Sequence, residues 1–492
     1  MSLVELSEIN RRWATPELFY AERDNRTMLE VQDLARYAAR PVEIRVDPRE
    51  AHELAVQRMT LLACNLTARW AREIRVVLPL GVRLASCLRR DGWDTLDLRV
   101  ISEMQAADPF GRFMVLSPGE VRRSDLIERP LRLRIGSWRE PLPVGEEISA
   151  DDYVITASGW SAIGRRGRGL GDEDRGHSSA VSAAAGLAAS IGVADIFKRA
   201  IGHGREHWVT DFAWCMWSHT LTQDVPARIK DSHVSEELDL GQTLLAGVGA
   251  IGSALVYLMD MMDLRGGLTL LDRDRVELSN LNRSPLFFVA HVLNDELKTA
   301  TAANYLRRHE LQVRVVDGTW HEHAREVARE VYDVWVSFTN EDGAWAEVPF
   351  QLPPIVLHGT TTSGWGFGAG RHIPRRDDCT LCRMPRPEAE FRGPCAQGEI
   401  ESELEGEPAR ASLPFLSAAS ASLVLAELSK LSSPEVLKLP NDIAADLRYG
   451  LPAVMALTRL ANQACRGCRA AASNLWERRG GRGRYRPYSE AA

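Results

Sequence analysis

The 492-residue chain contains no uninterrupted run of about 18 apolar residues, so nothing in it reads as a membrane-spanning helix. Its first residues, MSLVELSEINRRW, lack the basic-then-apolar layout of a secretory leader, and a cytoplasmic location is the expectation. An excess of positive charge is missing as well. The formal net charge of −7 argues against a general nucleic-acid binder. In a cytosolic chain, eight cysteines need an explanation other than a disulfide framework. Apolar and charged contents are near average for a folded protein, and the length makes two domains the natural expectation.

The first half also lacks something: no glycine fingerprint joins its strands and helices. VEIRV (42–46), EIRVVLP (73–79), LRLRI (131–135) and DYVITAS (152–158) read as strands, and residues 50–72 have helical apolar spacing. GRRGRGLGDEDRG (164–176) reads as a solvated glycine- and charge-rich loop, and SSAVSAAAGLAASIGVADIFKRAIG (178–202) as a small-residue helix. A boundary near residue 235 separates an N-terminal α/β domain, 1–235, from a second domain, 236–475. A flexible basic tail, 476–492, is expected to follow.

In the second domain the pattern sharpens. QTLLA is a strand, Gly247-Val-Gly249-Ala-Ile-Gly252 a turn, and SALVYLMDMM a helix, which is the context that makes G-x-G-x-x-G a nucleotide fingerprint. The first glycine permits a tight turn, the second lets a phosphate approach the backbone, and the third lets helix and strand pack closely. LTLLD is the next strand. Asp272 at its end, about 20 residues beyond the fingerprint, is placed for a ribose hydroxyl. VRVVD (313–317), VYDVWVSF (331–338) and PPIVLHG (353–359) supply more strands, and FLSAASASLVLAELSKL (415–431) echoes the small-residue helix of the first half. The fold class is α/β, Rossmann-like, with a mostly parallel sheet. The fingerprint alone does not separate NAD, FAD and ATP.

The segment after that strand does. Asp272-Arg-Asp274-Arg-Val-Glu-Leu-Ser-Asn280-Leu-Asn282-Arg283 resembles the second signature of the ubiquitin-activating-enzyme-like adenylyltransferases of the ThiF/MoeB type. That superfamily includes activators of the sulfur carriers of thiamine and molybdopterin synthesis. The resemblance implies adenylation of the C-terminal carboxylate of a ubiquitin-like or sulfur-carrier β-grasp protein, with ATP and magnesium as cofactors. Asp272 matches the family's ribose acid, Arg283 its arginine and Lys298 its lysine, with Asp274, Asn280 and Asn282 in the same wall. The family's magnesium-binding acid falls on Asn340 in Ser337-Phe-Thr-Asn340-Glu341-Asp342. Asp342 is the favoured substitute and Glu341 the other, and a catalytically dead homologue stays open. Modification of a peptide, as in antibiotic-type relatives, and a non-catalytic nucleotide-binding scaffold are the alternative functions.

Cys379-Thr-Leu-Cys382 and Cys465-Arg-Gly-Cys468 are two knuckles that can complete a tetrahedral structural zinc site. Their separation is too wide for a compact ribbon but matches the family, in which such pairs staple the C-terminal segment to the domain body. Cys395, in RGPCAQGEIE, stands where family members hold a thioester nucleophile on a crossover loop, for transfer to a conjugating enzyme. Cys64, Cys87 and Cys215 read as core residues, and His321 and His323 as a solvated helix start. The resemblance implies paired adenylation domains. The first half is then read as a degenerate inactive copy or as a separate domain that recognises the protein substrate or a conjugating enzyme, and the chain as a pseudo-dimeric monomer or a homodimer. Arg23 and Arg26 are the candidates for the arginine that a partner half extends to the phosphates.

Overall fold

The computed structural model describes residues 8–9, 11–25, 39–90, 92–120, 130–171, 180–223, 235, 237–327, 329–341, 343–362, 364–383, 399–400, 409–410, 413–478 and 483–490. Two eight-stranded sheets organise it. The first contains β1 (Val42–Val46), β2 (Glu73–Val77), β3 (Arg112–Leu116), β4 (Leu131–Ile135), β5 (Tyr153–Ser158), β6 (Ser161–Arg166), β7 (Phe212–Cys215) and β8 (Thr220–Thr222), in spatial order 3-2-1-4-5-6-7-8. The second contains β9 (Glu237–Ala246), β10 (Asp263–Leu271), β11 (Glu310–Val316), β12 (Val334–Ser337), β13 (Ile355–Thr361) and β14 (Gly366–His372). A short pair, β15 (Glu399–Ile400) and β16 (Ala409–Arg410), stands apart before β17 (Asp442–Asp446) and β18 (Ala453–Leu457) complete the second sheet. Its order is 11-10-9-12-13-14-17-18.

Counted from its own first strand, the second sheet repeats the order of the first. In both, five parallel strands are followed by three antiparallel ones. Helices recur in step. α1 (Pro16–Arg23) precedes the first sheet, α2 (Leu54–Ala68) follows β1 and α3 (Leu96–Ala107) follows β2. α4 (Ser182–Ala200) lies between β6 and β7. In the second half, α5 (Ala250–Met259) follows β9, α6 (Lys298–Leu306) follows β10, and α7 (Pro414–Lys430) lies between β14 and β17.

The small-residue helices meet face to face. α4 packs on β4–β6 and on α2, α7 packs on β13, β14 and α5, and α4 and α7 pack on each other. The order of layers is therefore sheet, helices, helices, sheet. Every residue of α4 is buried, which only a helix of Ala, Gly and Ser on several faces can achieve without pushing its neighbours away. Gly186 marks the tightest point: a Cβ there would lie 2.6 Å from Ser422 Oγ and 2.8 Å from Leu258 Cδ2. One continuous apolar core runs through both halves.

The outer faces differ. Along β1 and β4 the alternation VEIRV and LRLRI puts Val42, Ile44, Leu131 and Leu133 toward the helices and Glu43, Arg45, Arg132 and Arg134 on the other side. Those charges form a layer with Glu146 and Asp152, including Arg132–Glu43 and Arg134–Asp152 at 2.7 Å. The second sheet instead carries Leu244, Ala246 and Trp335 on its outer face, covered by the helix Trp320–Val327. Three sequence expectations change. β3, β6–β8, β14, β17 and β18 were not anticipated, and Gly164–Arg166 belongs to β6 rather than to a loop. Of the segment expected to trail as a tail, 483–490 is packed on the body: Tyr488 donates to the Leu431 carbonyl at 2.8 Å and Arg484 pairs with Asp239 at 3.1 Å. No helix among the described residues is long and apolar enough to cross a membrane.

A buried polar knot crosses the halves. His219, on the β7–β8 turn, meets Glu427 of α7 at 2.8 Å, and Lys430 reaches Glu427 at 2.6 Å and His219 at 2.8 Å. Arg371 of β14 takes the other Glu427 oxygen. Burial, then the Lys430 charge, pushes His219 down to about 4. The unfolded chain protonates this histidine below about 6.5 while the fold refuses the proton until about 4, so stability is lost as pH falls through that window. His219 has φ 59°, which asparagine tolerates. His219→Asn is expected to abolish a share of the acid-dependent loss on the order of 2–3 kcal/mol, measured by urea unfolding across pH 4–6.5. Identical pH profiles for the two proteins would contradict the assignment.

Candidate functional site

In the second sheet the chain reverses its winding direction between β9 and β12, and the crevice lies at the carboxyl ends of β9, β10 and β12. The three fingerprint glycines are there for three different reasons. Gly247 has φ 93°, and a Cβ on it would lie 2.9 Å from the Phe338 backbone, so β9 can turn only beside β12 without a side chain. At Gly252 a Cβ would sit 2.1 Å from the Gly247 carbonyl oxygen, which fixes how closely α5 packs on its own turn. Gly249, the residue before α5, faces open space: nothing lies within 4 Å of where its Cβ would be. Only this glycine is free of a packing reason within the fold, and it is the one whose backbone a phosphate would approach.

Asp272 ties the turn to the second strand. Its carboxylate accepts from Val248 N at 2.6 Å and from Asp274 N at 2.9 Å. Burial raises its pKa, opposed by the Lys298 charge and by those N–H groups. A carboxylate oxygen has lone pairs beyond these bonds, so acceptance from a ribose hydroxyl is compatible with the geometry. Lys298 opens α6; its backbone N–H donates to the Asp274 carbonyl at 2.9 Å and its Nζ to Asp274 Oδ2 at 2.7 Å. Lys298 is thus brought to the wall that the sequence assigns it.

The remaining wall is a tightly bonded loop. Asn280 accepts from Glu277 N at 3.1 Å as half of a reciprocal capping pair, and Asn280 and Asn282 are buried. Arg283, also buried, donates from Nη1 to the Ser279 carbonyl and to Asn282 Oδ1. The carboxamides of this run therefore shape the loop from within.

Across the crevice, Phe338 N donates to the Ala246 carbonyl at 2.8 Å, which brings Thr339 and Asn340 beside the glycine turn. Asn340 is exposed. Glu341 is already occupied, accepting from Trp320 N at 2.8 Å and His321 N at 3.4 Å at the start of their helix. That commitment weakens Glu341 as the substitute acid. Asp342, Cys395 and Arg26 lie outside the described residues.

α1 of the first half packs against Leu278–Asn280 of this wall. Arg23 on that helix does not extend into the crevice. It is fully buried, with Nε on Asp24 at 2.7 Å and Nη1 on Asp108 at 2.8 Å. This corrects the expectation for Arg23: its donors are spent on two acids within the first half.

The matching crevice of the first half is closed by its own carboxylates. Where β9 leads into glycine, β1 leads into Asp47-Pro-Arg-Glu50. Asp47 accepts from Trp138 N at 3.0 Å and from Arg49 N at 3.1 Å, and Glu50 accepts from Ser137 N at 2.7 Å. Trp138 is buried there with φ 48°. An acid, not a glycine, at the end of the first strand was the available sequence signal.

The four knuckle cysteines converge. Their sulfur atoms all lie within 4.8 Å of one another, with 3.6 Å between Cys379 and Cys465 and 3.5 Å between Cys382 and Cys468. Four sulfurs on one zinc ion stand about 3.8 Å apart at the usual Zn–S bond of about 2.3 Å, so this set can hold one. Gly467 belongs to the knuckle, since a Cβ on it would come within 2.7 Å of Cys379 Sγ. The hydrogen bond from Cys379 pushes Cys468 down, while the same bond holds the Cys379 proton and burial pushes Cys382 up, so these thiols titrate as one linked set. Cys64 and Cys87 are buried and Cys215 is half-buried.

Residues 224–336 match the ThiF family. A curated relative, the uncharacterized protein y4jF of Sinorhizobium fredii (strain NBRC 101917 / NGR234), is 32% identical over 240 residues, 48% of this chain and 44% of that protein. The chain thus spans less than half the length of that relative. Among solved structures, E. coli MccB with MccA-N7isoASN is similar at 18% identity and a TM-score of 0.36, over 46% of this chain and 67% of that one. Another structure of E. coli MccB matches with the same identity and score, over 46% of this chain and 65% of its own. The matched residues run from the end of the first half into β12, so the ThiF match falls on the α/β domain that carries the glycine turn.

The glycine geometry yields a paired expectation. Gly249→Ala adds a methyl group into open space at negative φ, so the fold should keep its melting temperature while Mg-ATP affinity falls about 10-fold to 100-fold, the worth of blocked charge-assisted hydrogen bonds. Gly252→Ala should lower the melting temperature itself, because the turn must move. Calorimetric titration beside thermal melts reads both. A Gly249→Ala protein that binds Mg-ATP like the parent would remove the turn from the binding site.

Proposed function

We propose that the second half binds Mg-ATP in this crevice and adenylates the C-terminal carboxylate of a small protein, of the ubiquitin-like or sulfur-carrier β-grasp kind. The observation that carries the reading is the division of labour among the glycines: two are locked by packing and one opens its backbone onto the crevice. Around that opening stand Asp272 for the ribose and Lys298 and Arg283 for the phosphates.

In the reaction a carboxylate oxygen attacks the α-phosphorus of ATP, a new P–O bond forms, and the bond to pyrophosphate breaks. Negative charge grows on the leaving pyrophosphate. Lys298 and Arg283 would hold that charge, and because both side chains are fixed by bonds within their own wall, little reorganisation accompanies the step. Magnesium, when bound, would neutralise phosphate charge, and Asp342, two residues beyond Asn340 in sequence, is the residue we assign to hold it. Zinc at Cys379, Cys382, Cys465 and Cys468 would tie the C-terminal segment to the domain and take no part in the chemistry. Cys395 is the candidate to receive the acyl group as a thioester, releasing AMP, before transfer to a conjugating enzyme.

The first half, on this reading, is an inactive partner fused to the active one. Support comes from its repeated strand order and from a crevice filled by Asp47 and Glu50, whose charge would repel a triphosphate. A pseudo-dimeric monomer then replaces the homodimer.

One observation favours a second reading. Asn340 offers no negative charge where the superfamily places its metal-binding acid, as a nucleotide-binding scaffold without catalysis would. ATP–pyrophosphate exchange separates the two. Exchange is expected only in the presence of an acceptor with a free C-terminal carboxylate, and Arg283→Ala should reduce it by about 100-fold or more. Exchange supported by a β-grasp protein fits the proposal; exchange supported only by a short peptide moves the activity to peptide modification. Tight Mg-ATP binding with no exchange toward any acceptor would establish the scaffold. A thiol-sensitive adduct that persists in Cys395→Ala would take that cysteine out of the pathway.

A further inference from the structure

Arg69 belongs to the first half, at the C-terminal end of α2, yet most of its guanidinium serves the second. Nη1 donates to the carbonyls of Leu281 at 3.1 Å and Phe287 at 2.6 Å, and Nη2 to that of Pro285 at 2.9 Å. Nε and Nη2 also bond Asn65 Oδ1 at 3.1 and 3.0 Å, and Asn65 Nδ2 adds a further bond to the Pro285 carbonyl at 3.1 Å. The Phe288 ring lies 5.2 Å away, and Arg69 is 1% exposed.

Two features set this arginine apart from an ordinary interface contact. Among the described residues no carboxylate forms an ion pair with it, so a buried charge is held by neutral acceptors alone, which is an expensive arrangement unless every donor is satisfied. Its acceptors also converge on one loop. In sequence Leu281 and Phe287 bracket Asn282 and Arg283, the end of the wall assigned to the phosphates under the proposed function. A planar fork can grip three carbonyls in fixed directions, and a lysine ammonium cannot.

Arg58, about three helical turns earlier on α2, provides a natural comparison. It too is buried and crosses between the halves, donating from Nε and Nη2 to the Met261 carbonyl at 3.0 and 2.7 Å. That carbonyl follows α5, away from the 281–287 loop in sequence.

We propose that Arg69 is a positioning residue for the nucleotide chemistry of the other half: it clamps the 281–287 loop so that Arg283 is held where the phosphates arrive. The inference rests on the reading of the crevice as an ATP site. It gives the first half a direct physical role in catalysis that needs no nucleotide of its own.

The test uses the full chain and compares Arg69→Lys, Asn65→Ala and Arg58→Lys by two readouts. One is amide hydrogen exchange over 281–288 without nucleotide; the other is the Mg-ATP dissociation constant. Arg69→Lys is expected to speed exchange in that segment and to weaken Mg-ATP binding by about 10-fold to 100-fold, the scale of a displaced positioning group. Arg58→Lys should lower the melting temperature yet leave both readouts at parental values. Asn65→Ala keeps the charge and loses its orienting partner, so it should fall between them. It carries the test if Arg69→Lys does not fold.

Parental exchange and parental affinity in both Arg69→Lys and Asn65→Ala would overturn the inference while leaving the ATP site standing. An equal loss of affinity in Arg58→Lys would also overturn it, because general loosening of the interface would then suffice. If the parent protein binds no Mg-ATP, the ATP reading fails and the positioning role fails with it, even where exchange over 281–288 rises as expected.

Discussion

The close approach of α4 and α7 is the contact on which the rest of the molecule depends. Two helices built largely from Ala, Gly and Ser pack against each other while each also lies on its own sheet, and Gly186 leaves no room for a side chain at the crossing. Larger residues would push the sheets apart and break the continuous core that now joins them. α2, packed on α4, also reaches the other half, where Arg58 bonds the Met261 carbonyl and Arg69 those of Leu281, Pro285 and Phe287. The approach of α4 and α7 also closes the knot of His219, Glu427, Lys430 and Arg371. Interface, core and candidate site are therefore parts of one packing solution.

Within that frame the two halves have taken opposite routes at the same topological position. Both place a crevice at the carboxyl end of their first strand. In the second half Gly249 faces open space beside the crevice; in the first, Asp47 and Glu50 take the N–H groups of Trp138 and Ser137. The outer faces diverge in parallel. The second sheet is apolar on both sides, as a doubly covered sheet should be, whereas a layer of paired Arg, Glu and Asp covers the outside of the first. The first half reaches the candidate site of the second through α1 against Leu278–Asn280 and through Arg69.

Much of this was legible in the sequence where physics is local. Alternating or continuous apolar stretches of five or so residues marked β1, β2, β4, β5 and β9–β13, and the small-residue helices were plain from composition. The glycine fingerprint and the polar run behind it located Asp272, Lys298 and the buried carboxamides. Both cysteine knuckles could be paired across a wide gap because thiols at that spacing share a chemistry. What escaped was non-local. β14, GFGAGRH, carries almost no β propensity and is a strand only because β13 and β17 flank it. Arg23 looked like an arm for phosphates, and only the fold reveals that Asp108 claims it. Arg69 likewise gives no sign in sequence, since its acceptors lie more than two hundred residues away.

The central claim is that one chain contains two architecturally equivalent halves and a single working nucleotide site. The number of Mg-ATP molecules bound per monomeric chain at saturation tests it most directly, by equilibrium dialysis on protein whose mass in solution is measured in the same sample. The account expects one per chain, lost on mutation of Lys298 or Arg283 and unchanged by mutation of Arg49 beside the closed crevice. Two per chain, or one that survives at the first half when the second is disabled, would contradict it.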